Sequence, residues 1–202
     1  MIQKMMKTKP FKRIGILGGS FNPAHAGHLH ISLAALRRLN LDEVWWLVSP
    51  QNPMKSTKDM ASYEERLQSA RIAAKHPRVL VSNFEQTTGT QYSADTLRHL
   101  IETYRSDRFI WLMGADNLAQ IHHWRDWETI FAMLPIAVFT RSGYDLRALT
   151  SKAAQKFARA RVSESASQTL VDHEVPAWSH LAIRRHAASA TAIRAKARMA
   201  EK

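Results

Sequence analysis

With 202 residues, 45% of them hydrophobic, the chain has the size of one domain and the composition of a folded soluble protein. The absence of cysteine excludes disulfides, thiolate metal sites and a cysteine nucleophile, and no apolar run nears the ~20 residues of a membrane span. A net charge of +12 suggests a nucleic-acid partner, but its distribution weakens that idea: residues 1–12 hold four Lys and no acids, 141–202 hold twelve Lys+Arg against five Asp+Glu, and 13–140 hold thirteen against twelve. The excess sits at the two ends, as a solvated face or as a cationic wall beside a phosphate site.

The opening MIQKMMKTKPFK reads as a flexible basic tail over 1–12. It lacks the hydrophobic block of a secretory signal, so a cytoplasmic protein with no membrane partner is expected. RIGIL (13–17) is the first predicted strand, and GGSFNPAHAGH (18–28) leads from it into a helix that begins near Gly27 and includes HISLAALRRL (30–39). EVWWLVS (43–49) is the second strand. SYEERLQSARIAAK (62–75) follows as a helix, opened by the S-x-x-E box of Ser62 and Glu65 and followed by Pro77. RVLVS (78–82), a helix over SADTLRHLIETY (93–104), and the strands FIWLMG (109–114) and IAVFT (136–140) come next. Beyond Arg141 the pattern loosens: YDLRALTSKAAQKFARARV reads as one helix, SESASQ as a loop, HLAI (180–183) as a short last strand and TAIRAKARM as a closing helix.

Near-continuous apolar runs suit strands buried on both faces, and their alternation with helical patterns is the mark of βαβ units. The expected fold is α/β, a Rossmann-like doubly wound parallel sheet with a C-terminal helical and short-strand extension, forming a single domain over 1–202. In such a sheet ligands bind at the carboxyl ends of the strands, where the first βα turn meets a helix N-terminus. Residues 18–28 occupy that place. Gly18 and Gly19 allow close backbone approach, Asn22-Pro23 sets a turn, and the helix start offers unpaired N–H groups to an anion. His25 and His28 stand at the mouth of that anion site. Neither G-x-G-x-x-G nor G-x-x-x-x-G-K-[ST] is present, which disfavours a hydride-transferring Rossmann enzyme and a P-loop kinase. His25, His28 and His30 cluster, yet without a nearby carboxylate they make a weak zinc pattern, and no protein-held metal is expected.

GGSFNPAHAGHL resembles the first signature of the HxGH nucleotidyltransferase superfamily, with His25 and His28 on its two histidines. The wider set SPQNPMK (49–55), QYSADTL (91–97), WLMGADNLAQIHHWRDW (111–127), TRSGYD (140–145) and ASATAIR (188–194) is similar to the bacterial nicotinate-nucleotide adenylyltransferases within it. The resemblance implies transfer of the adenylyl group of ATP to nicotinate mononucleotide, with His25 and His28 catalytic. It places Gly18, Gly19, Ser20, Phe21, Lys55, Gly114, Asp116, Ser189, Thr191 and Arg194 around ATP, which would bring Mg²⁺ on its phosphates. Tyr92, Ser93, Trp124, Arg125 and Arg141 fall around nicotinate mononucleotide, and Trp127 is expected in the core. The sequence departs from the family pattern at Gln91, Ser93, Ala188 and Ala190. Three other readings stay open: an adenylyltransferase for nicotinamide mononucleotide or phosphopantetheine, a basic nucleic-acid-binding protein, and a metal-dependent hydrolase built on the histidines.

Overall fold

The computed structural model describes residues 11–50, 60–141, 143–184 and 186–200. Its centre is a six-stranded sheet of β1 (Arg13–Gly19), β2 (Glu43–Val48), β3 (Val79–Ser82), β4 (Arg108–Gly114), β5 (Ile136–Phe139) and β6 (Trp178–Leu181). All neighbours pair in parallel, in the order β3-β2-β1-β4-β5-β6. The strand order reverses between β1 and β4, which makes a crevice at their carboxyl ends.

Successive residues of the central strands enter opposite cores, as a two-residue repeat requires. Phe109, Trp111 and Met113 of β4 face one core with Ile136 and Val138 of β5, while Ile110 and Leu112 face the other with Ala137 and Phe139. This double burial is why the strands read as unbroken apolar runs. The first core is covered by α4 (Ser93–Thr103), α5 (Ala115–Gln120) and α6 (Trp127–Met133), through residues such as Leu97, Leu118 and Phe131. Trp127 belongs to it, as expected. The second is covered by α1 (Ala26–Arg38) and α2 (Tyr63–Ala73), through Ala35, Leu36 and Leu67. α2 starts at the predicted box: the Ser62 hydroxyl accepts from the Glu65 N–H at 3.2 Å, and the Glu65 carboxylate accepts from the Ser62 N–H at 2.8 Å.

At the amino ends of the strands, Asp172 accepts hydrogen bonds from both Arg13 of β1 and Arg108 of β4. Lys12 is also held there, its Nζ 2.7 Å from Glu43. Residues 1–10 of the expected basic tail lie outside the described residues, as does Lys55.

Past β5 the sequence reading needs correction. The one long helix is three short pieces, α7 (Asp145–Leu149), α8 (Lys152–Lys156) and a 3₁₀ turn at Ala158–Ala160. The break falls at Ser151, whose hydroxyl accepts from the Ala154 N–H at 3.2 Å and so starts a new helix. All of the predicted SESASQ loop after Ser163 lies within a 3₁₀ helix, Glu164–Asp172, which buries Leu170 and Val171 on the second core. The last strand ends at Leu181, two residues before the predicted limit, because beyond it the Thr140 hydroxyl replaces the ladder. That hydroxyl accepts from the Ile183 N–H at 3.0 Å and donates to the Ile183 carbonyl at 3.1 Å. Three helices went unread: α3 (Phe84–Thr88), α5 and α6. The closing helix, α9, spans Ala190–Ala200.

Candidate active site

His25 and His28 close the N-terminus of α1 by a reciprocal exchange. The His25 ring Nδ1 accepts from the Gly27 N–H at 3.1 Å, and the His28 ring Nδ1 accepts from the His25 N–H at 3.1 Å. With both Nδ1 atoms acting as acceptors, each neutral imidazole carries its proton on Nε2. The rings lie 3.9 Å apart between centroids. His28 also packs on Phe21 at 4.8 Å and edge-on to Trp46 at 5.8 Å. Burial, then the positive charges of Arg141 and His186, push His25 down to about 4, so at neutral pH it is an uncharged Nε2–H donor. Gly27 is required by closeness: a Cβ there would stand 2.8 Å from the His25 Nδ1 and 3.2 Å from the Ala188 carbonyl oxygen. Gly27→Ala is expected to fold yet to turn the His25 ring aside, lowering kcat about tenfold or more, a loss that steady-state assay beside a melting curve will detect.

These histidines open on a cleft of about 680 Å³ above the carboxyl ends of β1, β4 and β5, within the usual range for a ligand site. Gly18, Gly19, Ser20 and Phe21 form its β1 side. Gly18 leaves room for an indole, since a Cβ would come within 2.5 Å of Trp111. Gly114 and Asp116 line it at the end of β4, and Tyr92, Ser93, Trp124 and Arg125 form another wall, where the Arg125 guanidinium lies 4.6 Å from the Tyr92 ring centre. Arg141 enters from the end of β5 and pairs with Asp116 at 2.7 Å. Thr191 and Arg194 complete the rim from α9, with the Arg194 Nη1 donating to the Asn22 carbonyl at 2.5 Å. Ser189 stands outside the lining and its hydroxyl accepts from the Ala192 N–H at 3.2 Å, capping α9.

Two polar atoms in this cleft, Asp116 Oδ1 and Trp111 Nε1, are buried with no hydrogen-bond partner among the described residues. Buried polar groups are normally paired, and these two stand out among the residues that line the cleft. The lining carries four arginines against the two carboxylates Asp116 and Glu85, which favours an anion. Arg141, Arg184 and Arg194 among these belong to the basic C-terminal segment, so part of its charge excess is a wall of the cleft. Among the described residues no group of three His, Asp or Glu could hold a metal ion.

A family model described as cytidylyltransferase-like matches residues 16–196. A protein named "Probable nicotinate-nucleotide adenylyltransferase" from Methylorubrum extorquens is 50% identical over 184 residues, covering 91% of this chain and 100% of its own. A protein of the same name from Cereibacter sphaeroides is 49% identical over 185 residues, covering 92% and 98%. The chain belongs to the nicotinate-nucleotide adenylyltransferase family. The fold agrees: the solved nicotinic acid mononucleotide adenylyltransferase of Plasmodium falciparum, complexed with NaAD, aligns with a TM-score of 0.66 at 16% identity, covering 91% of this chain and 83% of that one.

For this nicotinate-nucleotide adenylyltransferase family member, the sequence motifs left several cleft residues unread, among them Ser49, Glu85, His123 and His186. Glu85 is the most unusual. It is 5% exposed, and burial pushes its carboxyl up to about 7 against a hydrogen bond with the Ser49 side chain that opposes the rise. A folded-state value above the unfolded 4.5 means that the stability it contributes is present below pH 4.5 and is lost as pH rises through about 7. Glu85→Gln should therefore match the wild-type melting temperature at pH 5 and exceed it at pH 8, a gap that melting curves at the two pH values will read. Only a tertiary contact explains this burial, and no local pattern signals it.

Proposed function

We propose that the chain transfers the adenylyl group of ATP to nicotinate mononucleotide, releasing nicotinate adenine dinucleotide and pyrophosphate in NAD synthesis. The observation that carries this reading is the reciprocal capping of His25 and His28, which aims two Nε2–H donors from a helix N-terminus at a cationic cleft. A phosphate oxygen of the mononucleotide attacks the α-phosphorus of ATP. A new P–O bond forms as the bond to the β-phosphate oxygen breaks, and its electron pair leaves on pyrophosphate. The attacking oxygen is already ionised at neutral pH, so the chain needs no strong base and forms no covalent intermediate. Its work is alignment and stabilisation of charge on the phosphoryl oxygens.

In this reading His25 and His28 donate to the reacting phosphoryl group. Gly18, Gly19, Ser20 and Phe21 bring backbone against the triphosphate, Gly114 allows ATP close approach, and Asp116 accepts from a ribose hydroxyl. Ser189, Thr191 and Arg194 hold phosphate from the opposite rim, and Lys55 adds a further cation. Tyr92 and Ser93 meet the pyridine carboxylate, Trp124 stacks on the ring with Arg125 beside it, and Arg141 takes the mononucleotide phosphate. Mg²⁺ fits as a passenger on the ATP phosphates, since hard cations at such sites are commonly held by substrate oxygens, and when bound it neutralises charge on the departing pyrophosphate. The chain acts as a single nucleotidyltransferase unit over 1–202 in the cytoplasm, without nucleic acid as a partner. Pyrophosphate release from ATP in the presence of nicotinate mononucleotide, compared with nicotinamide mononucleotide, tests the reading. Release with neither acceptor, or with the amide alone, defeats it.

A further inference from the structure

Arg66 lies on the inner face of α2 beside Leu67 and Ala70, with 2% of its surface exposed. A guanidinium is costly to bury unless its donors are met. Here four of its five N–H donors are met by carbonyl oxygens from three separate segments. Nη1 donates to Ser20 at 2.8 Å and to Ser49 at 2.6 Å, Nη2 to Pro50 at 2.5 Å, and Nε to Ala61 at 3.1 Å. One side chain thus joins the exit of β1, the exit of β2 and the lead into α2. The Ser49 N–H donates in turn to the Gly19 carbonyl at 2.9 Å, so the two exits are also tied directly.

Ser20, Phe21 and Ser49 line the cleft, and Arg66 does not; the guanidinium stands behind that wall. In a trans peptide the C=O and the next N–H point in opposite directions. Drawing the Ser20 carbonyl back onto Arg66 therefore turns the Phe21 N–H away from Arg66 and toward the cleft. Phe21 itself has φ +47°, in the left-handed region where a bulky residue is strained. Such a conformation persists only where its surroundings over-determine it. Arg66 holds the peptide before Phe21, and the stacking of the Phe21 ring on Trp46 at 5.1 Å holds its side chain.

We propose that Arg66 is a positioning residue for adenylyl transfer: from behind the wall its guanidinium orients the Ser20–Phe21 peptide toward the triphosphate, and by holding the Ser49 and Pro50 carbonyls it fixes the neighbouring loop against which that peptide is set. The proposal rests on the reading of function given above. Lysine keeps the charge and loses the planar fork that spans three segments. Arg66→Lys is expected to fold and to melt several degrees below the wild type, while kcat at a temperature where it is fully folded falls about 10- to 100-fold and the dissociation constant of α,β-methylene-ATP rises about tenfold, as displaced donors would cause. The KM for nicotinate mononucleotide should stay within about twofold, because its proposed contacts lie on other walls. Arg66→Ala should regain turnover when guanidinium ions are added at non-denaturing concentration. A folded Arg66→Lys enzyme with wild-type kcat and ATP-mimic affinity overturns the proposal. So does an Arg66→Ala enzyme whose loss matches its unfolded fraction and ignores guanidinium. A wild-type protein that releases no pyrophosphate counts against adenylyl transfer instead, and the ATP-mimic dissociation constants still decide the role of Arg66.

Discussion

Replacing His28 with alanine should lower kcat by about 10²–10³ while changing the KM for ATP far less, the cost of losing one preorganised donor at a developing oxyanion. Alanine also removes the ring atom that accepts from the His25 N–H, so some destabilisation of α1 will accompany the loss, on the order of 1 kcal/mol for a helix cap. A second substitution separates the two effects. The side-chain oxygen of His28→Asn stands near the place of Nδ1 and can keep the cap, but nothing replaces Nε2. The asparagine enzyme should melt near the wild type and remain as slow as the alanine enzyme. Stopped-time assays of pyrophosphate release with both variants check this, and an asparagine enzyme of wild-type rate would remove His28 from the chemistry.

Asp116→Ala should give the next largest effect. One carboxylate oxygen pairs with Arg141 at 2.7 Å, and the other is buried without a partner among the described residues. The pair is half exposed on the arginine side, with relative exposures of 48% and 20%, so its loss should be felt in stability only weakly. The unpartnered oxygen is different, because a charged acceptor that a ligand hydroxyl meets contributes about 1.5–3 kcal/mol. The KM for ATP should accordingly rise about 10- to 100-fold, with a melting temperature close to the wild type. Isothermal titration with a non-reactive ATP mimic gives the same quantity without turnover. Unaltered affinity would place the ribose elsewhere in the cleft.

The sheet was legible in the sequence because both of its faces are covered, which leaves runs such as FIWLMG with no polar interruption. The HxGH segment was legible for a related reason: its chemistry is local, each histidine meeting a backbone group no more than three residues away. What stayed hidden depends on distant partners. Arg66 and Glu85 are charged residues on helices, where solvent exposure is the ordinary expectation, and nothing in their neighbourhood announces carbonyls at Ser20 and Ser49 or a hydroxyl on another strand end. The helix after β5 was misread because its apolar spacing is continuous, while the break is set by a single serine whose cap competes with propagation. Ser189 combines both situations: its hydroxyl accepts from the Ala192 N–H of its own helix and keeps its proton for the phosphate proposed as its distant partner.

The Asp172 clamp at the amino ends of β1 and β4 gives the molecule an anchored keel. Those strands are laddered together from Arg13–Arg108 to Leu17–Leu112, and the carboxylate shared by Arg13 and Arg108 adds a side-chain tie at the end away from the cleft. This tie sits at the pole of the sheet opposite the chemistry, so the lower rim can be reinforced by an engineer without disturbing the upper one.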